Sequence, residues 1–429
     1  MMERLFSLIL SLILLLVPSC KDPEPTPDPD PEGGGNGGNT TPAVTVDGIS
    51  GSFIQMWYVQ RWTEADWDEE MGYLADAGID YLILTPLSDD GSAADYSTLE
   101  KCLISAKKKG VKIFVGTNSD DGWWNASTAT GSWLKARMEE GILIAKEIYR
   151  RFHSTYGETL YGWYWDWEID NVNWKKRTDD LAAAWNVTLD GITEIDASMP
   201  LLFSPFMNPV LGTSTQYRDF FKELFSKVHL RKGDIFAPQD CAGGFSLAVS
   251  NIKGWLYQLS EAAKTVDGLE FWSNIEIFNQ FNVGGETKFV TAPLPRLIDQ
   301  ISAEKTFASR LICFAYSHYM SPKAVREDYH NAYLSYLKTG NLPVVGKPGR
   351  VNSASKEVGT GVALTWSMAT RTDVDGFAIY KNGSLLLKMQ ITPSTVPGYY
   401  FDYDGKAADT YQVAAYNILG DEGEKVTFN

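Results

Sequence analysis

An eightfold alternation between short apolar runs and amphipathic stretches is the feature that most constrains the fold of residues 48–344. The apolar runs predict strands at 53–60, 81–85, 111–116, 160–168, 201–205, 235–239, 271–276 and 311–317. Apolar residues at helical spacing follow the runs, as in a parallel sheet covered by helices. Eight such units in a segment of this length predict a closed (β/α)8 barrel.

An open, doubly wound α/β sheet is the alternative topology. Its usual dinucleotide fingerprint, Gly-x-Gly-x-x-Gly after a strand, does not follow any predicted strand. Two helix starts have the spacing of a capping box, Thr63 with Asp66 and Ser97 with Glu100. Gly110 predicts the end of the second of these helices.

Composition and charge argue against two classes of function, nucleic-acid binding and metal-dependent catalysis. A formal charge of −16 argues against a nucleic-acid partner, because phosphate binding needs clustered Lys and Arg. The chain has four histidines, and Cys102, Cys241 and Cys313 are scattered, so the sequence predicts neither a metal site nor a disulfide framework. No cofactor is implied.

The carboxyl ends of the strands carry the candidate site, because in this fold they face the active site. They combine carboxylates, amides and aromatic rings, namely Trp57, Trp62, Asn118, Trp123, Trp124, Asp166, Trp167, Glu168, Asn208, Asp240, Asn274, Glu276, Tyr316 and His318. Indole rings stack on the C–H faces of pyranoses, while carboxylates and amides bind hydroxyl groups. The set predicts a site for an oligo- or polysaccharide.

Two of these residues are the leading catalytic candidates. Hydrolysis of a glycosidic bond needs two carboxyl groups across that bond. Glu168 and Glu276 end the fourth and seventh predicted strands, so their side chains can converge over the barrel mouth. Asp166 shares the strand parity of Glu168, and Asp240 follows the sixth strand. Each of these two is a candidate for catalysis or for substrate binding, and the remaining residues are predicted sugar contacts.

The barrel resembles the large clan of retaining glycoside hydrolases, which places an acid/base Glu at the end of strand 4 and a nucleophilic Glu at the end of strand 7. The resemblance implies Glu168 as acid/base and Glu276 as nucleophile. Directly before the acid/base the clan usually has Asn, and this chain has Trp167. The unit also resembles uncharacterised Bacteroidetes lipoproteins assigned as glycoside hydrolases, some of them as α-L-fucosidases. Fucosidase barrels use an Asp nucleophile on strand 4, which would correspond to Asp166.

The N-terminus has the parts of an export signal in residues 1–20, with Arg4, an apolar run over 5–17 and small residues before Cys20. Residues 17–20 resemble a bacterial lipobox, which implies cleavage before Cys20 and acylation of its thiol. The acidic residues just after Cys20 resemble the surface-export signal of Bacteroidetes lipoproteins. Residues 21–47 are rich in Pro, then in Gly, and predict a flexible linker to the membrane. We expect a lipid anchor in the outer membrane, exposure at the cell surface, and neighbouring glycan-import proteins as candidate partners.

Residues 345–429 change to a period of two with turn residues every 8 to 12 positions. Strands are predicted at 362–366, 376–381, 385–389, 399–403 and 411–417, with Asn382-Gly383 as a hairpin turn. Short alternating strands of this number predict an all-β sandwich. The segment resembles a fibronectin type III domain, which implies Tyr411 as the tyrosine-corner residue. It shows no catalytic set, and it is either a spacer or a carbohydrate-binding accessory.

The leading hypothesis is therefore a surface glycoside hydrolase that acts with net retention. Glu168 protonates the leaving oxygen and later activates water, while Glu276 attacks the anomeric carbon. Two alternatives stay open. One is an α-L-fucosidase-like enzyme with Asp166 as nucleophile, and the other is a non-catalytic glycan-binding lipoprotein on the same barrel.

Overall fold

The computed structural model describes residues 48–170 and 172–429. The predicted signal, the linker and Cys20 lie outside the described residues. Within the described ranges no helix has the length and apolar character needed to cross a membrane.

The described chain alternates strands and helices, then continues with strands alone. The strands are β1 Gly51–Gln55, β2 Tyr81–Thr85, β3 Ser88–Asp89, β4 Lys112–Gly116, β5 Asn118–Ser119, β6 Leu160–Trp165, β7 Leu201–Phe203, β8 Ile235–Phe236, β9 Glu270–Phe271, β10 Ser273–Glu276, β11 Phe278–Val283, β12 Glu286–Thr291, β13 Leu311–Phe314, β14 Ser353–Val358, β15 Val362–Ser367, β16 Gly376–Lys381, β17 Ser384–Gln390, β18 Tyr399–Asp402, β19 Tyr411–Tyr416 and β20 Val426–Thr427. The α-helices are α1 Met56–Val59, α2 Glu64–Asp76, α3 Tyr96–Lys109, α4 Gly131–Tyr156, α5 Thr178–Asp196, α6 Ser214–Phe225, α7 Val249–Ala263, α8 Leu294–Glu304, α9 Tyr316–Tyr319 and α10 Glu327–Thr339.

The first large sheet is the predicted barrel. Its parallel strands pair in the order β1-β2-β4-β6-β7-β8-β9 on one side of β1, and β13 pairs with β1 and with β10 on the other side. The segments β9 and β10 are two halves of one strand separated by Trp272. The pairing of Gln239, after β8, with Asn274 of β10 closes the barrel. The structure confirms the (β/α)8 fold class.

Strand alternation divides the apolar residues of the barrel into two sets. Phe53, Tyr81, Phe114, Tyr164 and Trp272 belong to a buried cluster to which every barrel strand contributes, and they fill the barrel interior. The alternate positions pack beneath the helices in the main core. Since the interior is filled with side chains, a ligand can only enter at the strand ends.

The helix caps follow the sequence in part. Thr63 accepts from the backbone N–H of Asp66 and the Asp66 side chain accepts from that of Thr63, so the first predicted capping box is confirmed. The second is wrong, because Asp95 caps the helix by accepting from Thr98 N–H. Gly110 ends this helix at φ 74°, as predicted.

Five of the eight predicted barrel strands end earlier than expected, and in two of them a helical turn follows. The first stops at Gln55, where the chain turns into the single helical turn α1, and the eighth stops at Phe314 before α9. Gln60 N–H donates to Met56 O at 2.9 Å and His318 N–H to Ala315 O at 3.1 Å. Trp57 and His318 therefore lie on helical turns over the barrel mouth instead of on strands.

The C-terminal strands form two antiparallel sheets, β14-β15-β18 and β17-β16-β19-β20, with a shared apolar core. Asn382 and Gly383 both have positive φ, 52° and 85°, as the predicted hairpin turn requires. Tyr411 Oη donates to Asp402 Oδ2 at 2.6 Å across this core. The segment is an all-β sandwich.

An unpredicted hairpin, β11–β12, links the barrel to the sandwich. It begins two residues after Glu276. Phe281 and Val283 of the hairpin pack against the core of the sandwich. Thr291 N–H donates to Gln390 Oε1 at 2.8 Å, which fixes the base of the hairpin to the second sheet.

Candidate active site

A cleft that is open to solvent at its mouth lies at the carboxyl ends of the barrel strands. Its walls are formed by Phe53, Gln55, Thr85, Pro86, Ser119, Asp120, Asp121, Trp123, Trp124, Tyr164, Asp166, Trp167, Glu168, Gln239, Asn274 and Phe314. Six of the candidates predicted from the sequence therefore share one cleft: Trp123, Trp124, Asp166, Trp167, Glu168 and Asn274.

Glu168 has a sparse set of partners in this cleft. Its Oε1 accepts from Gln239 Nε2 at 3.0 Å, and Gln239 is fixed by a second bond, to Ser204 O at 3.0 Å. Burial raises the pKa of Glu168 to about 7, and the Gln239 hydrogen bond opposes the shift. A carboxyl group in this state can exchange a proton near neutral pH.

Asp166 lies two residues earlier on the same side of the chain. Its Oδ2 accepts from Thr117 N–H at 2.7 Å, and Thr85 Oγ1 donates to its Oδ1. Burial raises the pKa of Asp166 well above its usual range, against the lowering effect of the Thr117 hydrogen bond. Gly116 makes room for it, because a Cβ on that residue would collide with the Asp166 carboxyl group. Asp166 is held more tightly than Glu168.

Tryptophans shape the wall beside Glu168. Trp123 Nε1 donates to Glu168 O at 2.7 Å and so fixes the backbone that carries the carboxyl group. The Trp123 ring packs on those of Trp167 and Trp174, with centroids 5.3 Å and 4.3 Å away. Trp123 and Trp167 are largely buried, whereas Trp124 is half-buried and offers more ring surface to the cleft.

Asn274 contributes the one buried amide with an unused acceptor in the cleft wall. Its Nδ2 donates to Ser204 Oγ at 2.9 Å. Its Oδ1 is buried and has no hydrogen-bond partner among the described residues. An unmatched acceptor at a cleft wall is suited to bind a hydroxyl group of a ligand.

Glu276 lies beside the cleft and is not among the residues that form its walls. Its Oε2 accepts from the backbone N–H groups of Gly243 and Gly244 at 2.7 Å and 2.6 Å. The side chain is 4% exposed. Burial and the neighbouring charge of Asp240 raise the pKa of Glu276, against the effect of the two N–H groups.

At the end of the sixth strand, Gln239 and Asp240 face opposite sides of the chain, and only one of them lines the cleft. Asp240 was a candidate sugar ligand, but it is fully buried and binds Gln300 Nε2 instead of facing the cleft. Its neighbour Gln239, which sequence reasoning did not select, points into the cleft. Successive residues of an extended segment face opposite sides, so only one of the two can line the site.

Three other residues predicted to contact sugar form hydrogen bonds to backbone groups or to a buried side chain instead. Asn118 Nδ2 donates to Arg137 O at 2.9 Å beneath α4. Asn208 Oδ1 accepts from the N–H groups of its own turn, at Val210 and Leu211. Tyr316 is fully buried, and its hydroxyl lies 2.7 Å from His330 Nδ1. None of the three forms a wall of the cleft.

The remaining candidates form an aromatic cluster on the helical turns. His318 stacks on Tyr58 with ring centroids 4.3 Å apart, and Trp57 meets its edge at 5.7 Å. Burial lowers the pKa of His318 to about 3, so the ring is neutral. Trp62 packs on Trp67 away from the cleft. These residues flank the site without lining it.

Some residues of the wall were missed by the sequence. Gln55 lies inside the predicted strand 53–60 and Thr85 ends the second predicted strand, so no pattern singles them out. Asp120 and Asp121 lie in the loop after the third predicted strand but were not chosen as candidates. Within the described residues no group of three or more His, Cys, Asp or Glu could hold a metal ion.

Several solved structures are similar to this chain. A protein from Bacteroides thetaiotaomicron VPI-5482, provisionally described as an alpha-L-fucosidase, is 18% identical with a TM-score of 0.57, over 70% of this chain and 99% of that one. A beta-glucuronidase from Parabacteroides merdae is 11% identical (TM-score 0.43) over 89% of this chain and 50% of that one. An intracellular xylanase from Thermoanaerobacterium saccharolyticum is 15% identical (TM-score 0.41) over 63% and 89%.

A search among curated proteins found no match. The model of one protein family, described as "Domain of unknown function (DUF4434)", matches residues 49–326, which cover the barrel up to the segment after α9. The chain belongs to this DUF4434 family.

Proposed function

We propose that this protein is a glycoside hydrolase. The observation that carries the proposal is the position of Glu168, a carboxyl group with a raised pKa in a cleft whose walls combine aromatic rings with amides and carboxylates. This combination suits a sugar, whose faces are apolar and whose edge is polar. A similar solved structure, with a TM-score of 0.57, is provisionally described as an alpha-L-fucosidase, which agrees with this reaction class.

In the proposed reaction Glu168 acts first as an acid. It gives its proton to the glycosidic oxygen as the bond to the anomeric carbon breaks, and it then takes a proton from water. Gln239 keeps one carboxyl oxygen in place, so the other is directed to the substrate. Asn274 Oδ1 accepts a hydroxyl hydrogen and helps to orient the sugar.

The second carboxyl group has a first candidate in Glu276. In a retaining mechanism it attacks the anomeric carbon and forms a glycosyl-enzyme ester, which water then cleaves with the help of Glu168. The Gly243 and Gly244 N–H groups bind the carboxylate form and aim it. This assignment requires the two carboxyl groups to approach to about 5–5.5 Å when substrate is bound.

Asp166 is the second candidate, and one observation favours it. It forms part of the cleft wall together with Glu168, whereas Glu276 does not. An Asp nucleophile on this strand would give a fucosidase-like enzyme.

The first test is incubation of the purified chain with a panel of plant, microbial and host glycans, beside a Glu168→Gln/Glu276→Gln double variant. New reducing ends from the wild type alone would support hydrolysis and identify the substrate class. Binding without product by both proteins would contradict hydrolysis and support the glycan-binding alternative.

The second test separates the two nucleophile candidates. Asp166→Gly and Glu276→Gly are assayed with and without azide on a substrate with a good leaving group. Azide should restore turnover only in the variant that lacks the nucleophile, since it occupies the space of the lost carboxylate. The product is a glycosyl azide, and its anomeric configuration reports the face from which azide attacked.

We also propose that the protein is lipid-anchored through Cys20 at the outer-membrane surface, where a glycan substrate from outside is accessible. The lipobox-like residues 17–20 support this location. Metabolic labelling with a fatty acid should mark the wild type and leave Cys20→Ala unlabelled. Protease treatment of whole cells should degrade the protein if it faces outwards.

A further inference from the structure

Two carboxyl groups behind strand β10 lie within hydrogen-bonding reach of each other. Asp240 and Glu304 are both fully buried, and Glu304 Oε1 accepts from no N–H or O–H group of the described residues. Ionised carboxylates only accept hydrogen bonds, so this contact requires a proton on one of the two. The contact also fits their setting, because two buried negative charges without paired cations would repel strongly.

The neighbouring cation does not neutralise the pair. Arg296 directs its guanidinium to the carbonyl oxygens of Ala242, Glu276 and Phe278 and to Asn279 Oδ1, at 2.6–3.3 Å. Its charge acts on Asp240 and Glu276 only at longer range. A shared proton is therefore the local means of reducing the charge of the pair.

Asp240 connects this pair to the proposed nucleophile. Its Oδ1 accepts from the N–H groups of Ala242 and Glu276 at 3.0 Å and 3.2 Å. Gln300 Nε2 donates both to Asp240 Oδ2 and to Glu276 O. The backbone of Glu276 is thus tied to Asp240 directly and through Gln300.

The same loop also binds the Glu276 side chain. Ala242 N–H donates to Asp240, and the next two N–H groups, of Gly243 and Gly244, donate to Glu276 Oε2. Three consecutive N–H groups are therefore fixed by two carboxyl groups. Any movement of Asp240 would shift the loop and with it the Glu276 carboxylate.

We propose that Asp240 and Glu304 share one proton and act together as positioning residues, which hold Glu276 in place through the backbone of residues 242–244. In one respect the inference rests on the proposed function, namely that Glu276 is a reacting group. The shared proton lets Asp240 remain an acceptor for all of its donors without a second full charge beside Glu276.

The titratable and charged groups around Glu276 come from four elements. They are Asp240 and Cys241 after β8, Arg296 and Glu304 of α8, Tyr319 of α9 and, further along the cleft, Glu168 after β6. Asp240 is the one whose charge raises the pKa of Glu276. Removal of that charge should lower the pKa of Glu276.

The first experiment detects the proton. Infrared difference spectra at pH 8 compare wild type with Glu304→Gln, with Glu70→Gln as a matched control at another fully buried glutamate. One component of the carbonyl band of protonated carboxyl groups should be lost in Glu304→Gln and kept in Glu70→Gln, because the pKa of Glu70 is about 7 and that group is mostly ionised at pH 8. A band unchanged in Glu304→Gln would overturn the inference.

The second experiment detects positioning without any substrate. With ¹⁵N-glycine labelling, the amide protons of Gly243 and Gly244 should resonate downfield in wild type and in Glu304→Gln, whose amide can still donate to Asp240. In Asp240→Asn they should shift upfield, because the new NH2 group opposes Gln300 Nε2 and releases the loop. Identical shifts in all three proteins would overturn the positioning role.

Kinetics then connects the two proposals. Asp240→Asn should lower kcat by about 10- to 100-fold through a misplaced reacting group, with a smaller effect on KM. The limb of the pH profile that reports Glu276 should move to lower pH. Glu304→Gln, whose amide can still donate to Asp240, should lose less of kcat than Asp240→Asn. If no glycan is hydrolysed while the infrared and amide results hold, the proposed function fails and the positioning unit stands; if hydrolysis occurs without those signals, the reverse is true.

Discussion

Glu168 has the environment of a group that exchanges protons near neutral pH. As an acid it must be protonated when substrate binds, so kcat/KM should fall as pH rises through about 7, the pKa to which burial raises this carboxyl group. Glu168→Gln should lower kcat by about 10²- to 10⁴-fold and leave glycan binding intact. Initial rates between pH 5 and 9, with binding measured in parallel, test this. A profile that keeps its alkaline limb in Glu168→Gln would contradict the role.

Glu70, away from the cleft, also has a pKa that is raised by burial, and this lowers the stability of the protein at high pH. It is fully buried, with Ser321 Oγ donating to its Oε2 at 2.7 Å, and burial raises its pKa to about 7. The unfolded chain ionises Glu near pH 4.3, so between these values the unfolded state loses a proton that the folded state keeps. The free energy of unfolding should therefore fall as pH rises from about 4.3 to 7, by on the order of 4 kcal/mol for this group.

Glu70→Gln should remove this contribution. The variant should have a higher Tm than wild type at pH 8 and a similar or lower Tm at pH 4, by calorimetry at both values. Glu158→Gln, in the exposed turn before β6, provides the control and should show neither effect. Equal Tm differences at both pH values would exclude the pKa of Glu70 as the cause.

At the level of single residues the sequence identifies part of the site. Asp166 and Glu168 were placed on one side by strand parity, and both form the cleft wall. The same reasoning did not separate Gln239 from Asp240, since the pattern of the sixth strand does not show where its alternation starts. Asn118 and Tyr316 were candidates because of their position, but their hydrogen bonds to Arg137 O and His330 arise from packing between distant segments. Such contacts have no local signature.

Among the elements, α8 carries an unusual buried face. Arg296, Gln300 and Glu304 are spaced by four residues, so they lie on one side of the helix, and this side faces β10. A buried helix face is normally apolar. The spacing is visible in the sequence, but only the contacts show that this polar face is directed inwards.

Gln300→Leu tests the importance of that face. The change removes the donor to Asp240 Oδ2 and leaves a buried carboxylate acceptor without a partner, which should cost about 1–3 kcal/mol. Chemical denaturation gives the free energy of unfolding. Asp299→Leu, the neighbouring exposed position, serves as the control and should be close to neutral. Equal stability of the two variants would argue against a structural role for the Asp240 network.

Element boundaries were harder to predict than element types. The apolar stretch from Phe53 continues through Val59, so it predicts one long strand, but the backbone changes to a helical turn after Gln55. Both conformations can bury Met56 and Val59, and only the packing of α1 against the turn that carries His318 distinguishes them.

For the whole molecule, strand–helix alternation was sufficient for the barrel and period-two patterning for the sandwich. The hairpin β11–β12 was not predicted, because residues 278–291 follow a strand where a helix was expected. In the sequence, Phe281 and Val283 are apolar residues of a segment without a clear pattern. Only the structure shows that they pack against the core of the sandwich. Contacts of this kind join residues that are distant in the sequence, and they form only when both the barrel and the sandwich are folded.

Docking through the hairpin predicts that barrel and sandwich unfold together. Phe281→Ser should remove about 1–3 kcal/mol of shared stability and split a single calorimetric transition into two. Tyr399→Ser, at an exposed ring of the sandwich, should keep one transition. Two transitions already present in the wild type would show that the units are thermally independent.

The hairpin also limits how this barrel can vary. In (β/α)8 enzymes new specificities arise when loops at the strand ends change length and sequence. Here the loop after the seventh strand is committed to an internal interface, so insertions there would separate the sandwich from the barrel. Divergence of specificity should therefore concentrate in the loops after β4 and β6, and libraries for directed evolution of this scaffold are best placed there.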